Sequence, residues 1–171
     1  YERKEQMLDL QELSLAINDT FKVLPAPGLL LLADNGAEKN LITIGWLQFG
    51  NLWGKWTVNV FIRQSRHSFN ILNNSEYFSL NILDPQKYNE QIALCAKTSG
   101  RNTDKIKESG LTIVKGNNID TIAEAQTTFE CKIINKTILD KSCLSPELFN
   151  NFYSNEDFHQ LITAEILNFK R

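Results

Sequence analysis

A chain of 171 residues with 42% hydrophobic and 22% charged side chains is long enough to bury a full core and too apolar for disorder. Its net charge of −2 supplies no basic field to draw in nucleic acid or an anionic membrane, so an anionic ligand needs a local cluster of cations. Cys95, Cys131 and Cys143 lack CxxC spacing, which excludes a disulfide framework and a zinc site and makes a reducing, cytoplasmic setting the default. The chain starts at Tyr1 instead of Met, so an initiator region, tag or signal segment is unaccounted for and export stays open. No apolar stretch approaches membrane-spanning length.

Residues 1–20 read as a charged lead-in with a short amphipathic piece around Leu8–Ile17, ahead of a domain over 21–171. Pro25, Pro27 and Gly28 break the chain before the strand-sized run Leu29–Ala33, and Asp34-Asn35-Gly36 is a turn signal. A strand is predicted from Asn40 through Phe49, then a loop at Gly50-Asn51 and Gly54, then a strand over Thr57–Arg63 rich in β-branched and aromatic residues. Ser68 stands where it could cap a short helix over 69–72. Tyr77–Leu83 reads as a strand ended by Asp84-Pro85, and Asn89–Ala96 as a helix. A second helix spans Thr103–Ser109, with Thr103 as its cap and Gly110 as its stop. Ala125–Ile138 and Leu161–Phe169 read as long strands. Strands first, short helices inserted, then strands again is not a βαβ alternation; the fold class expected is mainly β, an antiparallel barrel with peripheral helices.

Three segments carry residues suited to chemistry. Small residues beside tryptophans in Asn40–Trp46 and Gly50–Lys55 let a flat ligand approach the backbone, although from composition alone a barrel core in which tryptophans fill space is the more ordinary reading. Arg63, Arg66 and Ser68 supply forked cationic donors and a hydroxyl at a helix start, a pattern suited to phosphate; exposed arginine pairs are also ordinary solvated surface. Ser99, Gly100, Arg101 and Lys105 combine a turn, a hydroxyl and two cations before a helix, without P-loop spacing; a capped surface helix has the same composition. His67 and His159 offer no metal-binding spacing, and a histidine such as His159 ahead of a strand more often serves structure than catalysis.

In order and spacing these stretches resemble the flavin reductase-like family with the FMN-binding split barrel, including flavoredoxin-type proteins. The matching segments are Asn40–Trp46, Gly50–Lys55, Arg63–Ser68, Ser99–Lys105, Gly110-Leu111-Thr112, Glu124-Ala125, Glu130-Cys131-Lys132, Asp157–His159 and Glu165-Ile166. The resemblance implies a split β-barrel that binds FMN without a covalent bond. It places the flavin ring against Thr43, Ile44, Gly45 and Trp46. The phosphate falls on Arg63, Arg66 and Ser68 with Ser99, Gly100, Arg101 and Lys105, and His159 lies near the flavin. It further implies a homodimer with FMN near the interface, NAD(P)H as electron donor, and a flavin, protein or small molecule as acceptor. An electron carrier without its own NAD(P)H activity is the alternative, and a barrel that has lost its cofactor is a third reading, which the retained Arg63 and Arg66 argue against. Four residues depart from the family pattern: Trp56, Gln64, Ser68 and Ala164. Of these Trp56 is expected to matter most, by covering the flavin face or narrowing the path of the nicotinamide.

Overall fold

Leu29 to Ala33 are five apolar residues in succession, and a strand built from them has no face to give to water. The computed structural model, which describes residues 7–171, places them in a strand buried on both sides. The elements run α1 (Leu10–Phe21), β1 (Leu29–Asp34), β2 (Lys39–Ile44), β3 (Leu47–Leu52), β4 (Lys55–Arg63), α2 (His67–Asn73) and β5 (Tyr77–Ile82). They continue with α3 (Pro85–Lys97), α4 (Lys105–Ser109), β6 (Ile113–Val114), β7 (Thr121–Ile122), β8 (Thr127–Ile138), a 3-10 turn at Lys141–Cys143, α5 (Pro146–Phe152) and β9 (His159–Lys170). Seven strands form one antiparallel sheet in the order β2-β1-β5-β8-β9-β4-β3, and β6 pairs with β7 alone. The mainly β class with peripheral helices is therefore as expected; the sheet curls without closing, because its end strands β2 and β3 do not pair with each other.

Alternation along β1 divides the interior. Leu29, Leu31 and Ala33 join Val58, Val60, Ile62, Phe78 and Phe129 in the main core, under Leu13 and Ala16 of α1 and Ile71 and Leu72 of α2. Leu30 and Leu32 point the other way, into a second cluster with Leu41, Ile92 and Cys95 under α3. Register shifts between Glu130/Cys131 and Ile133/Asn135 interrupt the long β8–β9 ladder, and such bulges bend paired strands. Cys95 and Cys131 are buried thiols whose pKa burial pushes up, to about 11 for Cys95.

Several boundaries differ from the sequence expectations. The amphipathic piece expected around Leu8–Ile17 forms α1, which extends to Phe21 and is capped by Asp9; residues 1–6 of the lead-in lie outside the described residues. Asp19 ties α1 to the rest of the fold, accepting from Arg171 Nε at 2.7 Å and Thr127 Oγ1 at 3.0 Å. Gly50 and Asn51 belong to β3, and the hairpin turns instead at Trp53 and Gly54, whose φ of 55° and 75° give a two-residue turn of the type that matches strand twist. Gly54 is thus in the turn as expected, while tryptophan is an unusual first residue for it, so Trp53 carried no signal of its own. Asp84 caps α3 from Pro85 onward, four residues before the expected start, and Asp104, not Thr103, caps α4. Among the described residues no helix is long and apolar enough to cross a membrane.

Candidate functional site

The break between β2 and β3 builds the first part of the site. A Cβ on Gly45 would lie 2.2 Å from the Pro25 carbonyl oxygen, and one on Gly28 would lie 2.5 Å from the Ile44 carbonyl oxygen. The segments around 25–28 and 44–45 thus touch backbone to backbone, and this contact splits the strand expected over Asn40–Phe49. It opens a cleft of about 320 Å³ lined by Pro25, Ile42, Thr43, Ile44, Gly45, Trp46, Phe61, Ile62, Arg63, Arg66 and His159. Gly45→Ala should destabilise the protein by about 2 kcal/mol or more, since the obstructing atom is main chain and cannot swing away. Gly50→Ala is the control, because a Cβ there meets nothing within 4 Å. Equal urea midpoints for the two variants would remove the close approach as a constraint.

A second, smaller pocket of about 190 Å³ adjoins the first and shares Ile42 and Arg66 with it. Its other lining residues are Asn40, Ser65, His67, Ser68, Thr98, Ser99, Gly100, Arg101 and Lys105. Arg66, Arg101 and Lys105 bring three cations to this lining, which contains no aspartate or glutamate. Lys105 is 4% exposed, and its ammonium donates to the Cys95 carbonyl oxygen at 2.9 Å, in the last turn of α3. Among the described residues it pairs with no carboxylate, and burial pulls its pKa down, with the charge of Arg66 adding to the effect and Cys95 opposing it. The Arg66 side chain makes no hydrogen bond or ion pair among the described residues. Arg101 Nη1 donates to the Ser65 carbonyl oxygen at 2.9 Å, leaving its other donors for a ligand. Gly100 packs on the Asn40 amide so closely that a Cβ would lie 2.4 Å from Asn40 Oδ1. At the rim, His67 Nε2 meets the Glu38 carboxylate.

The structure brings the sequence-predicted residues into these two adjoining spaces but gives some of them other work. Ser68 lies inside the first turn of α2, fully buried, and accepts from Asn40 Nδ2 at 2.8 Å; Arg66 occupies the cap position. Ser68 is therefore a buried brace for Asn40 and not a helix cap. Thr43 Oγ1 donates to the Ile92 carbonyl oxygen at 2.7 Å, tying β2 to α3. Arg63 donates to the carbonyl oxygens of Asp157 at 2.7 Å and Phe152 at 3.1 Å, with its guanidinium carbon 5.3 Å from the centre of the Tyr153 ring. Trp56 is absent from the cleft lining; it borders a separate groove with Met7, Leu10 and Trp53. Asn40, Phe61 and Tyr153 were missed as site residues. Phe61 was findable, since it lies two residues before Arg63 on one strand and so shares its face.

His159 opens β9, directly across from Arg63, and its imidazole lines the cleft. Its Nδ1 shares a hydrogen bond of 2.8 Å with the Tyr153 hydroxyl, and its ring lies 5.3 Å from that of Trp46. Burial lowers its pKa to about 4, aided by the positive charges of Arg63 and Arg66 and opposed by Asp157, so the imidazole is neutral at pH 7. Among the described residues no group of three His, Cys, Asp or Glu could hold a metal ion.

Comparison with solved structures finds the same fold. The flavoredoxin of Desulfovibrio vulgaris (Miyazaki F) superimposes with a TM-score of 0.65 at 19% identity, over 85% of this chain and 69% of that one. The flavoredoxin of Methanosarcina acetivorans gives 0.64 at 19%, over 84% and 67%. Nitrilotriacetate monooxygenase component B from Bacillus cereus gives 0.66 at 14%, over 99% and 79%. At such identities the likeness establishes the fold alone. No curated protein matches the sequence. The model of the flavin reductase like domain matches residues 21–171, nearly the whole chain, and this protein belongs to that family.

Proposed function

We propose that this protein binds FMN non-covalently and works as a flavin reductase-like oxidoreductase, taking electrons from NAD(P)H and passing them to a flavin, a protein or a small acceptor. The observation that carries the reading is the anion pocket beside the ring-sized cleft. A buried ammonium with no carboxylate partner is unfavourable by itself, and the phosphate of FMN would supply the missing charge. Arg66, Arg101 and Lys105 would hold that phosphate, Ser99 and Gly100 would shape its turn, and Ile44, Gly45 and Trp46 would face the ring. When bound, the flavin supplies the hydride and electron chemistry. The residues of the chain bind it, orient it and keep water from it.

Purified protein should take up FMN and show flavin absorbance, and Arg66→Ala should weaken binding by about 1.5–3 kcal/mol. Protein that stays colourless in excess FMN would end this reading. A second reading, an electron carrier without NAD(P)H activity, draws on the likeness to two flavoredoxins. Anaerobic stopped-flow separates the two: bleaching of the flavin by NADH or NADPH supports the reductase, and no bleaching by either supports the carrier. We take the working unit to be a homodimer in the cytoplasm, with the exposed apolar surface of Trp46, Trp53, Trp56 and Phe152 as support for the dimer; sedimentation velocity measures it.

A further inference from the structure

The first arginine of the phosphate pattern, Arg63, is occupied by its own chain. Its two terminal nitrogens donate to main-chain oxygens of Asp157 and Phe152, so the guanidinium holds the 152–157 turn against the end of β4. Neighbouring bonds reinforce the attachment: Ser65 Oγ donates to the Asp157 carboxylate at 2.6 Å, and Gln64 Nε2 donates to the Phe158 carbonyl oxygen at 3.3 Å. The turn held in this way carries Tyr153, which is 6% exposed and lies beneath the Arg63 guanidinium. Its hydroxyl reaches His159 Nδ1 and has no other hydrogen-bond partner among the described residues.

That isolation decides the direction of the bond. A hydroxyl that donates to Nδ1 satisfies its own proton and the imidazole lone pair together. A hydroxyl that accepted from an Nδ1–H would leave its own proton buried without an acceptor, an arrangement folded proteins avoid. With Nδ1 accepting, the proton of the neutral imidazole resides on Nε2. That nitrogen makes no hydrogen bond within the described residues, is not sealed from solvent, and belongs to a ring that lines the cleft.

We infer that Tyr153, clamped by Arg63, is a positioning residue that holds His159 as a fixed Nε2–H donor directed into the ring cleft, where it favours the electron-rich reduced form of the bound ring. This inference rests on the FMN reading for its ligand, but not for the tautomer. A neutral donor gains strength as its acceptor gains negative charge, so it should bind reduced FMN more tightly than oxidised FMN and raise the midpoint potential.

The first measurement needs no cofactor. Long-range ¹⁵N–¹H NMR of the apo protein at pH 7 should show His159 as the Nε2–H tautomer, and Tyr153→Phe should give a mixture of tautomers. An Nδ1–H tautomer in the wild type overturns the inference, whatever FMN does. The second is the potential of bound FMN. Tyr153→Phe and His159→Leu should each change the ratio of affinities for oxidised and reduced FMN about tenfold, a fall of about 30 mV in a two-electron couple. His159→Gln, which keeps an N–H donor, should stay near the wild type. Unchanged potentials in both Tyr153→Phe and His159→Leu also overturn it. Failure of the wild type to bind FMN would sink the proposed function, and the tautomer measurement would still decide the role of Tyr153. Should Tyr153→Phe fail to fold, the wild-type tautomer and the two His159 variants decide it.

Discussion

Replacing Lys105 with methionine is expected to weaken FMN binding by about 10- to 100-fold while leaving the apo protein no less stable. The two halves of this result have one cause. In the apo protein the Lys105 ammonium is buried with a single carbonyl partner, and its lowered pKa means that the fold disfavours its charge. Because the folded pKa lies below the ordinary value of 10.5, the penalty is present throughout neutral pH and is relieved only as pH rises toward that value. Methionine keeps most of the buried length and removes the penalty, which offsets the lost bond to Cys95. Binding a phosphate reverses the balance, since the ammonium then gains an anion in a poorly solvated pocket. Riboflavin, which lacks the phosphate, is the discriminating ligand: its affinity should be the same for both proteins. An equal loss for riboflavin and FMN would show that Lys105 acts through the fold, and a drop of about 2 kcal/mol or more in apo stability would show that the Cys95 bond outweighs the buried charge.

The second large effect is a loss of about 3 kcal/mol in stability between pH 6.5 and pH 4, caused by His159. Its folded pKa of about 4 lies below the ordinary 6.5, so the unfolded chain takes up a proton across that window and the native protein does not. Stability is therefore full above pH 6.5 and falls as the pH drops toward 4. The carboxylates with displaced pKa values act lower down. Asp19, held near 2 chiefly by Arg171, loses its contribution below 3.8, and Glu130, satisfied by Asn117, Asn118 and Asn168 although burial opposes this, loses its own below 4.5. Urea denaturation at pH 7, 6 and 5 should show the slope in the wild type and its disappearance in His159→Gln. The same slope in both proteins would assign it to another group.

Much of the strand framework was readable from local chemistry. A run such as Leu29–Ala33 can be stable only between two apolar layers, and Asp34-Asn35-Gly36 forms its turn with the Asp34 carboxylate accepting from the Gly36 N–H and the Asn35 side-chain oxygen accepting from the Ala37 and Glu38 N–H groups. Gly110, with φ 68°, ends α4 as its position suggested. The break at Gly45 was not readable, because its cause is the Pro25 carbonyl, a contact between separate segments of chain. α5 was also missed: Ser145 caps it, Pro146 opens it and Leu148, Phe149 and Phe152 share one face, but seven residues are too few to set a helical period apart from a loop, and none of them is buried.

The site divides along the same line. By itself the sequence determined which residue types were available, with cations at 63, 66, 101 and 105 and a histidine at the head of the last strand, because composition and strand period are local properties. Tertiary structure alone decided their partners. Arg63 and Arg66 lie three residues apart and look equivalent in the chain. The pairing of β4 with β9 sets Arg63 opposite His159 and delivers it to the carbonyl of Asp157, 94 residues away, while Arg66, beyond the end of the strand, is left facing the pocket. A hydrogen bond or an unpaired charge depends on which groups packing brings within about 3 Å, and that distance is a property of the folded chain.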